Sequence, residues 1–329
     1  TMRASFYVLG PFLSRFNYAE VSLPGGCAWG PRPVNYHLQA IEALGAEVDL
    51  SDGMIIAKGE LKGGLINFQQ SSVGATGNAL MAAVNANGAT TIKNAAKEPE
   101  IEALCHFLLK MGADIKGIGT DEIIIVGQKT LNADIEYSVI PDRIEAGTFL
   151  IAGACTYGDI SVTNVNPNHL DIVLNYLAEA GFNLDVQNDS IRIYPSQNYI
   201  NPVDMITGIY PGFPTDLQAQ WMALMILANG NSKITEEIYT DRFTHIAELT
   251  RFGAQVTLSG NIAKILGTNK LTGAPVMSTD IRASASLIIA ALSAEGKSSI
   301  SRIYHIDRGY ENIEDKFNIL GAQIERIKE

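Results

Sequence analysis

With 329 residues, 47% of them hydrophobic and 18% charged, the chain holds more apolar material than one ordinary core needs, and its size fits about two domains. A formal charge of -11 argues against nucleic acid or an anionic membrane as partner, since both call for a basic face. There is no run of the ~18 apolar residues that a spanning helix needs, no basic-then-apolar leader, and three widely separated cysteines that fit a reducing, cytoplasmic compartment.

In chain order, Met2-Arg3-Ala4-Ser5 matches Ile281-Arg282-Ala283-Ser284 at the start of a helix much later in the sequence, but no strand precedes it. The expectation is a chain that opens in mid-repeat as the remainder of a longer polypeptide. Ser22 to Pro33 carries three glycines and three prolines within ten residues and is predicted as a long loop with Cys27 at its middle and the Arg32 cation close by. Glycines then recur at 45, 112, 181, 253 and 321, spaced by 67, 69, 72 and 68 residues. Each follows an amphipathic stretch and precedes an alternating apolar run, the mark of a helix C′ glycine that feeds a strand.

Between those junctions the same order repeats. Small-residue-rich helices are predicted over Val73 to Ala86, Ile144 to Thr156, Thr215 to Ala228 and Ile281 to Ala294, each after a strand. A strand such as Thr91-Ile92 or Ile160-Ser161-Val162, a second helix, the glycine and a two-strand hairpin follow. The repeat is β-α-β-α-β-β, with four complete copies expected. Repeats of this length suit α/β units closed around shared cores, with the small-residue helices buried and the sheets outside. A domain boundary is placed before Pro141-Asp142, giving a first lobe at 1–140 that carries the Cys27 loop and a second at 141–329 that carries Asp216, Asp280 and Arg308. Two lobes imply a cleft on which helix N-termini, each a partial positive charge with free N–H donors, can converge.

Several residues stand out chemically. Cys105 and Cys155 sit in helices and read as buried, inert thiols, whereas Cys27 sits in the loop. Arg3, Arg282 and Arg308 recur at equivalent starts of repeats, with Arg242 in the corresponding loop of its own; an arginine opposes the dipole at a helix start, so a bound anion is one explanation and solvation the other. Pro211-Gly212-Phe213-Pro214-Thr215-Asp216 puts Thr215 and Asp216 at a helix start, as N-cap and dipole partner or as functional groups, and Asp280 before Arg282 carries the same ambiguity. The five histidines form no metal-ligand pattern, and neither a dinucleotide-binding glycine motif nor a P-loop occurs, so neither metal nor cofactor is expected.

The loop Pro24-Gly25-Gly26-Cys27-Ala28-Trp29-Gly30-Pro31-Arg32-Pro33 closely resembles that of the UDP-N-acetylglucosamine 1-carboxyvinyltransferase family. Further matches, in the family's order, are Met2-Arg3-Ala4-Ser5, Ser72-Val73-Gly74-Ala75-Thr76, Asn94 to Glu100, Pro141-Asp142-Arg143-Ile144-Glu145, Phe213-Pro214-Thr215-Asp216, Thr279 to Ser284 and Arg302 to Tyr310. The resemblance implies a two-lobed inside-out α/β barrel and transfer of the enolpyruvyl group of phosphoenolpyruvate to the 3′-hydroxyl of UDP-N-acetylglucosamine, the first committed step of peptidoglycan synthesis. It implies that Cys27 protonates the substrate and is the target of fosfomycin, that Asp216 takes the hydroxyl proton, and that Asp280 lies beside the reacting carbon. By the same resemblance Arg3, Arg32 and Arg308 hold phosphate or carboxylate, Arg282 belongs to the substrate site, and the nucleotide sugar meets Arg32, Pro33, Val34, Asn35, Tyr36, Gln70, Ser71, Ser72, Val73, Asp216 and Ile238.

Asn35, Tyr36 and Gln70 depart from the family's pattern, which puts nucleotide contacts there in doubt. The family's Lys-Asn pair, which helps bind phosphoenolpyruvate, has no counterpart in the sequence. Two other readings stand beside this one: the related 3-phosphoshikimate carboxyvinyltransferase, whose family lacks the cysteine loop, and a catalytically dead paralogue that binds UDP-sugars. The polypeptide as written is expected to be inactive alone, and joining the expected N-terminal segment to it restores turnover. A correctly folded full-length parent with no activity would sink that expectation.

Overall fold

In a computed structural model the described residues are 3–23, 34–268 and 270–327. Two compact units divide the chain, Thr1–Ile140 and Pro141–Glu329. Each has its own core: one cluster runs from Phe6 to Ile125 and the other from Ile144 to Phe317.

In the first unit the strands Tyr18–Ser22, Glu47–Ser51 and Met54–Lys58 form a sheet with Met54–Lys58 in the middle, antiparallel to both neighbours. A second sheet repeats that arrangement and adds a strand: Leu65–Asn67 pairs in parallel with Ala89–Lys93, and Glu122–Val126 lies antiparallel between Ala89–Lys93 and Asp114–Lys116. The helix Val73–Ala83 makes the crossover between the parallel strands. Strand burial alternates, as in Glu122–Val126, where Ile123 and Ile125 face the core and the other three residues face water. Eight residues of Val73–Ala83 are buried, because its small side chains let neighbours approach on every side.

The second unit repeats the plan. The sheet Ile160–Thr163, Ser190–Pro195 and Phe182–Val186 has three strands, and Met205–Ile206, Asn231–Thr235, Ile262–Leu266 and Gln255–Ser259 form four. The last repeat pairs Leu271–Thr272 with Ala294–Glu295 and Pro275–Met277 with Ser299–Ser301, both in parallel. Arg143–Cys155, Gln218–Ile226 and Ile281–Ser293 pack on one another at the centre; all nine residues of Gln218–Ile226 are buried, and in Arg143–Cys155 only Glu145 is not.

All five junction glycines have φ between +91° and +98°, a region that side chains with a Cβ resist. After four of them the next residue's N–H reaches back five positions: Ala46 to Ile41, Ala113 to Leu108, Ala254 to Leu249 and Ala322 to Phe317. This is the Schellman closure of a helix. One expectation is corrected. Residues 127–142 hold no strand before Arg143–Cys155, so among the described residues two sheets carry the full four-stranded repeat rather than four. The stretch leading into Pro141 does alternate at Ile135, Tyr137 and Val139. It lies along the helix Pro99–Lys110, where Tyr137 donates to the Ala103 carbonyl and rests on the Phe107 ring, and Val139 stays exposed, so it pairs with no described strand. Among the described residues none of the sheets closes on itself, which agrees with the expected inside-out plan, in which buried helices rather than strands form each core.

Trp221 is fully buried in a ring cluster with Tyr176 and Phe213, whose centroids lie 5.6 and 5.7 Å from its own. Trp221→Ala is expected to lower unfolding free energy by about 3–5 kcal/mol in denaturant titrations, through lost burial and the cavity left behind.

Candidate functional site

The best-defined polar constellation lies in the second unit, where three central helices begin at one end. There the turn through Pro211 and Pro214 leads into a 3-10 helix at Thr215–Leu217 and then Gln218–Ile226, so the helix predicted from Thr215 is tightened over its first turn. Thr215 does not cap it by its side chain. Its hydroxyl turns to Glu236, and Asp216 turns to two arginines.

Asp216 Oδ1 accepts from Arg242 Nη2 at 2.9 Å and from Arg282 Nε at 3.1 Å, while Oδ2 takes no bond from the described residues. The arginine side chains are 7% and 19% exposed and that of Asp216 39%, so the pairs are sheltered while the carboxylate keeps one face open. Burial alone would raise the Asp216 carboxyl. Attraction first to Arg282 and then to Arg242 outweighs it and holds the group well below the usual carboxylate range. The partner of Arg282 is therefore a carboxylate of the protein itself, which accounts for a cation at a helix start without a bound anion.

Asp280 is the N-cap of Ile281–Ser293: its Oδ1 accepts from the Arg282 and Ala283 N–H groups at 2.9 and 3.0 Å. Behind the arginines, Tyr310 is buried, its hydroxyl 2.8 Å from Thr148 Oγ1 and 3.5 Å from Arg282 Nη1. Because Thr148 gives its proton to the Ile144 carbonyl, the Tyr310 hydroxyl donates to Thr148. Gln220 Nε2 also donates to Thr148 Oγ1, at 3.1 Å. These cross-links between first and second turns show that Arg143–Cys155, Gln218–Ile226 and Ile281–Ser293 start side by side, with their partial positive charges together.

Glu236 is fully buried. Its Oε1 accepts from Thr207 Oγ1, Ile238 N and Tyr239 N, and its Oε2 from Thr215 Oγ1. Arg308 is exposed at the end of the 3-10 helix Ile303–Arg308, on a depression of about 800 Å³ shared with Asp142, Glu145, Asp307, Tyr310 and Arg326. Arg326 grips Asp307 at 2.8 and 2.9 Å and so ties down the turn that presents Arg308.

In the first unit Val34 precedes the helix Asn35–Ala43, and Tyr36 in its first turn meets the Phe68 ring at 6.0 Å between centroids. This brings residues 34–36 beside the segment that carries Gln70, Ser71, Ser72 and Val73, where Ser72 caps Val73–Ala83 by accepting from Ala75 N. Asn78 joins the same region, donating to His37 Nδ1 and the Phe6 carbonyl and accepting from Gly10 N. Arg3 opens a 3-10 helix at Arg3–Val8. Cys27, Arg32 and Pro33 lie outside the described residues. Cys105 and Cys155 are buried, and burial first, then the charge of Glu102, pushes the Cys105 thiol up to about 12.

Asp216, Arg282 and Ile238 are thus drawn to one end of the second unit, and Asp280 serves as a cap beside them. Glu236, Thr148, Gln220 and Tyr310 were not legible as site residues. Arg242 was singled out in the sequence by its place in the loop equivalent to the other repeat-start arginines, but not as a partner of Asp216.

The family model described as EPSP synthase (3-phosphoshikimate 1-carboxyvinyltransferase) matches residues 1–317. A UDP-N-acetylglucosamine 1-carboxyvinyltransferase of Chlorobium chlorochromatii is 54% identical over 330 residues, covering 99% of this chain and 78% of the relative. One of Campylobacter hominis is 53% identical, covering 100% and 78%. Among solved structures, the enolpyruvyl transferase NikO from Streptomyces tendae superposes with a TM-score of 0.85 at 23% identity, over 98% of this chain and 77% of that one. EPSP synthase from Acinetobacter baumannii superposes at 0.73 and 21%, over 99% and 79%. These two carry the fold: a mixed α/β enolpyruvyl transferase architecture. Among the described residues no helix is long and apolar enough to cross a membrane.

His245, 2% exposed beside this site, gives a pH test. Burial, opposed by the charge of Asp280 and reinforced by that of Arg242, pushes it down to about 4 from 6.5. The folded state therefore binds this proton less readily than the unfolded chain, and its stability falls as pH drops from 6.5 toward 4. The loss is about 3 kcal/mol across that window. His245→Phe should flatten the pH dependence of the urea midpoint there; an unchanged slope would show that the buried ring is not its source.

Proposed function

The chain belongs to the UDP-N-acetylglucosamine 1-carboxyvinyltransferase family, and on that footing we propose that it transfers the enolpyruvyl group of phosphoenolpyruvate to the 3′-hydroxyl of UDP-N-acetylglucosamine with release of phosphate. The observation that carries the chemistry is Asp216, ionised between two guanidinium groups with Oδ2 open. As the reaction is proposed, Cys27 gives its thiol proton to C3 of phosphoenolpyruvate and the sugar O3′ bonds to C2. Asp216 Oδ2 accepts the hydroxyl proton. A proton then leaves C3 for the Cys27 thiolate, and the C2–O bond to phosphate breaks as the leaving phosphate takes up the proton that Asp216 accepted. Each step is general acid–base catalysis on a carbon made electron-poor by its neighbour's protonation.

The arginines have the second task. Arg242 and Arg282 hold Asp216 in one orientation and place positive charge where phosphate and carboxylate charge develops, without solvent having to reorganise. Arg308, exposed on the adjoining turn, is assigned to the phosphoenolpyruvate anion, and Arg3 and Arg32 to the same class of contact. Asp280 is assigned a place beside the reacting carbon in addition to its cap. The nucleotide sugar is assigned to Arg32, Pro33, Val34, Asn35, Tyr36, Gln70, Ser71, Ser72, Val73 and Ile238; the contact between Tyr36 and Phe68 supports grouping the described ones of the first unit. The buried free thiols support a cytoplasmic location, and the product would enter peptidoglycan synthesis.

The test is phosphate release from phosphoenolpyruvate by the native protein with UDP-N-acetylglucosamine and, separately, with 3-phosphoshikimate. Release is expected with the UDP-sugar alone, lost in Cys27→Ala and reduced about 10²–10⁴-fold in kcat by Asp216→Asn. Release with 3-phosphoshikimate instead would transfer the assignment to that acceptor.

A further inference from the structure

We propose that Glu236 is a positioning residue for this transfer, fixing Asp216 through the Thr215 hydroxyl and Arg242 and fixing Ile238 through its backbone; the proposal rests on the function given above. Proton directions carry the argument. Arg242 Nη1 can only donate, and it donates to Thr215 Oγ1 at 3.0 Å, so the Thr215 proton goes to Glu236 Oε2 at 2.9 Å. Thr207 Oγ1 accepts from Glu237 N at 2.8 Å, so its proton goes to Glu236 Oε1 at the same distance. The Ile238 and Tyr239 N–H groups donate to Oε1 at 2.9 Å each. Four donors converge on one side chain with 0% exposure, and only an acceptor with no proton of its own satisfies them all.

Stability alone does not call for such a group. A buried charge costs desolvation, and apolar replacements of buried ionic groups are often as stable. Placement explains it better. Glu236 joins the end of the strand Met205–Ile206, the turn that carries Asp216 and the loop that carries Ile238 and Arg242, and its own N–H and C=O are fixed by Asn261. From its carboxylate to Asp216 the path is one hydroxyl and one guanidinium. Rotating Thr215 would take its oxygen away from Arg242 Nη1 and loosen the second grip on Asp216 Oδ1.

Glu236→Gln keeps the volume but sets an NH₂ among groups that donate, so the Thr215 hydroxyl must turn. The expected result is a fall of about a hundredfold in kcat with UDP-N-acetylglucosamine, as for a displaced catalytic group, with the thermal midpoint kept. Thr215→Val should lose a similar factor and Thr215→Ser should recover most of it. The double variant Glu236→Gln with Thr215→Val should be no worse than the worse single one, because both break the same path. Wild-type kcat in a folded Glu236→Gln, or multiplying losses in the double variant, would overturn the proposal. A loss that only tracks the unfolded fraction would assign Glu236 to folding and overturn it equally.

Should Glu236→Gln fail to fold, the Thr215 pair decides by the same criterion. Amide exchange at Ile238 and Tyr239 separates this proposal from the one beneath it. Faster exchange in Glu236→Gln than in wild type is required whatever the acceptor, because a neutral amide oxygen holds the two N–H groups less strongly than a carboxylate, whereas absence of wild-type turnover with the UDP-sugar counts against the proposed function.

Discussion

The second unit is organised around one carboxylate oxygen. Asp216 Oδ1 takes a guanidinium from the loop after Asn231–Thr235 and another from the first turn of Ile281–Ser293. Three segments distant in sequence meet on a single atom. Removing either arginine leaves charge that the other must hold alone, in surroundings where an uncompensated ion is costly. Around that pair the remaining groups serve by orientation: Tyr310 and Thr148 behind Arg282, Thr215 and Glu236 behind Arg242. The arrangement needs three helices to begin at one end, and that is where their partial positive charges also lie.

Small residues make the convergence possible. A Cβ on Gly147 would come within 2.5 Å of the Leu217 side chain, the residue after Asp216, so Arg143–Cys155 can lie against this turn only because position 147 has none. Thr148 follows directly and meets Tyr310 and Gln220. The small-residue helices thus do two things: they build a core without bulk, and they set how near the polar groups at its end can come. Repetition supplies the scaffold cheaply in sequence terms. A glycine at positive φ ends five helices, four of them with the same backbone closure, and the same strand order recurs across the sheets, while chemistry is added by a few side chains at one end.

The repeat was legible because it is local: a glycine after an amphipathic stretch and a hairpin turn with flanking alternation are read within twenty residues or so, and they fall where predicted. The strand expected before Ile144 did not form although Ile135, Tyr137 and Val139 alternate, because Tyr137 is taken up by the Ala103 carbonyl and the Phe107 ring, a contact that local alternation does not reveal. At the site, Asp216 and Arg282 stood out through motif likeness, yet their pairing did not, because nothing in the sequence links positions 66 apart. Glu236 was silent for the same reason. A glutamate after a strand looks like any solvated carboxylate until Thr207, Thr215 and two backbone N–H groups are folded around it. Asp280 was legible as an ambiguity, and its carboxylate does cap the helix Ile281–Ser293.

The electrostatics of Asp216 place a demand on the proposed chemistry. A carboxylate held this far below its usual range stays ionised, and so is always ready to accept a proton, but it holds one weakly. It cannot drag a proton from an unactivated sugar hydroxyl. It can receive one that the oxygen is already giving up as it bonds to an electron-poor carbon, which requires the acid at C3 to act first or in concert. The arginines that weaken the base therefore fit a reaction led by its acid. Their grip gives Asp216 direction and keeps Oδ2 free, and in the proposed reaction the driving force comes from the acid at C3 rather than from the carboxylate.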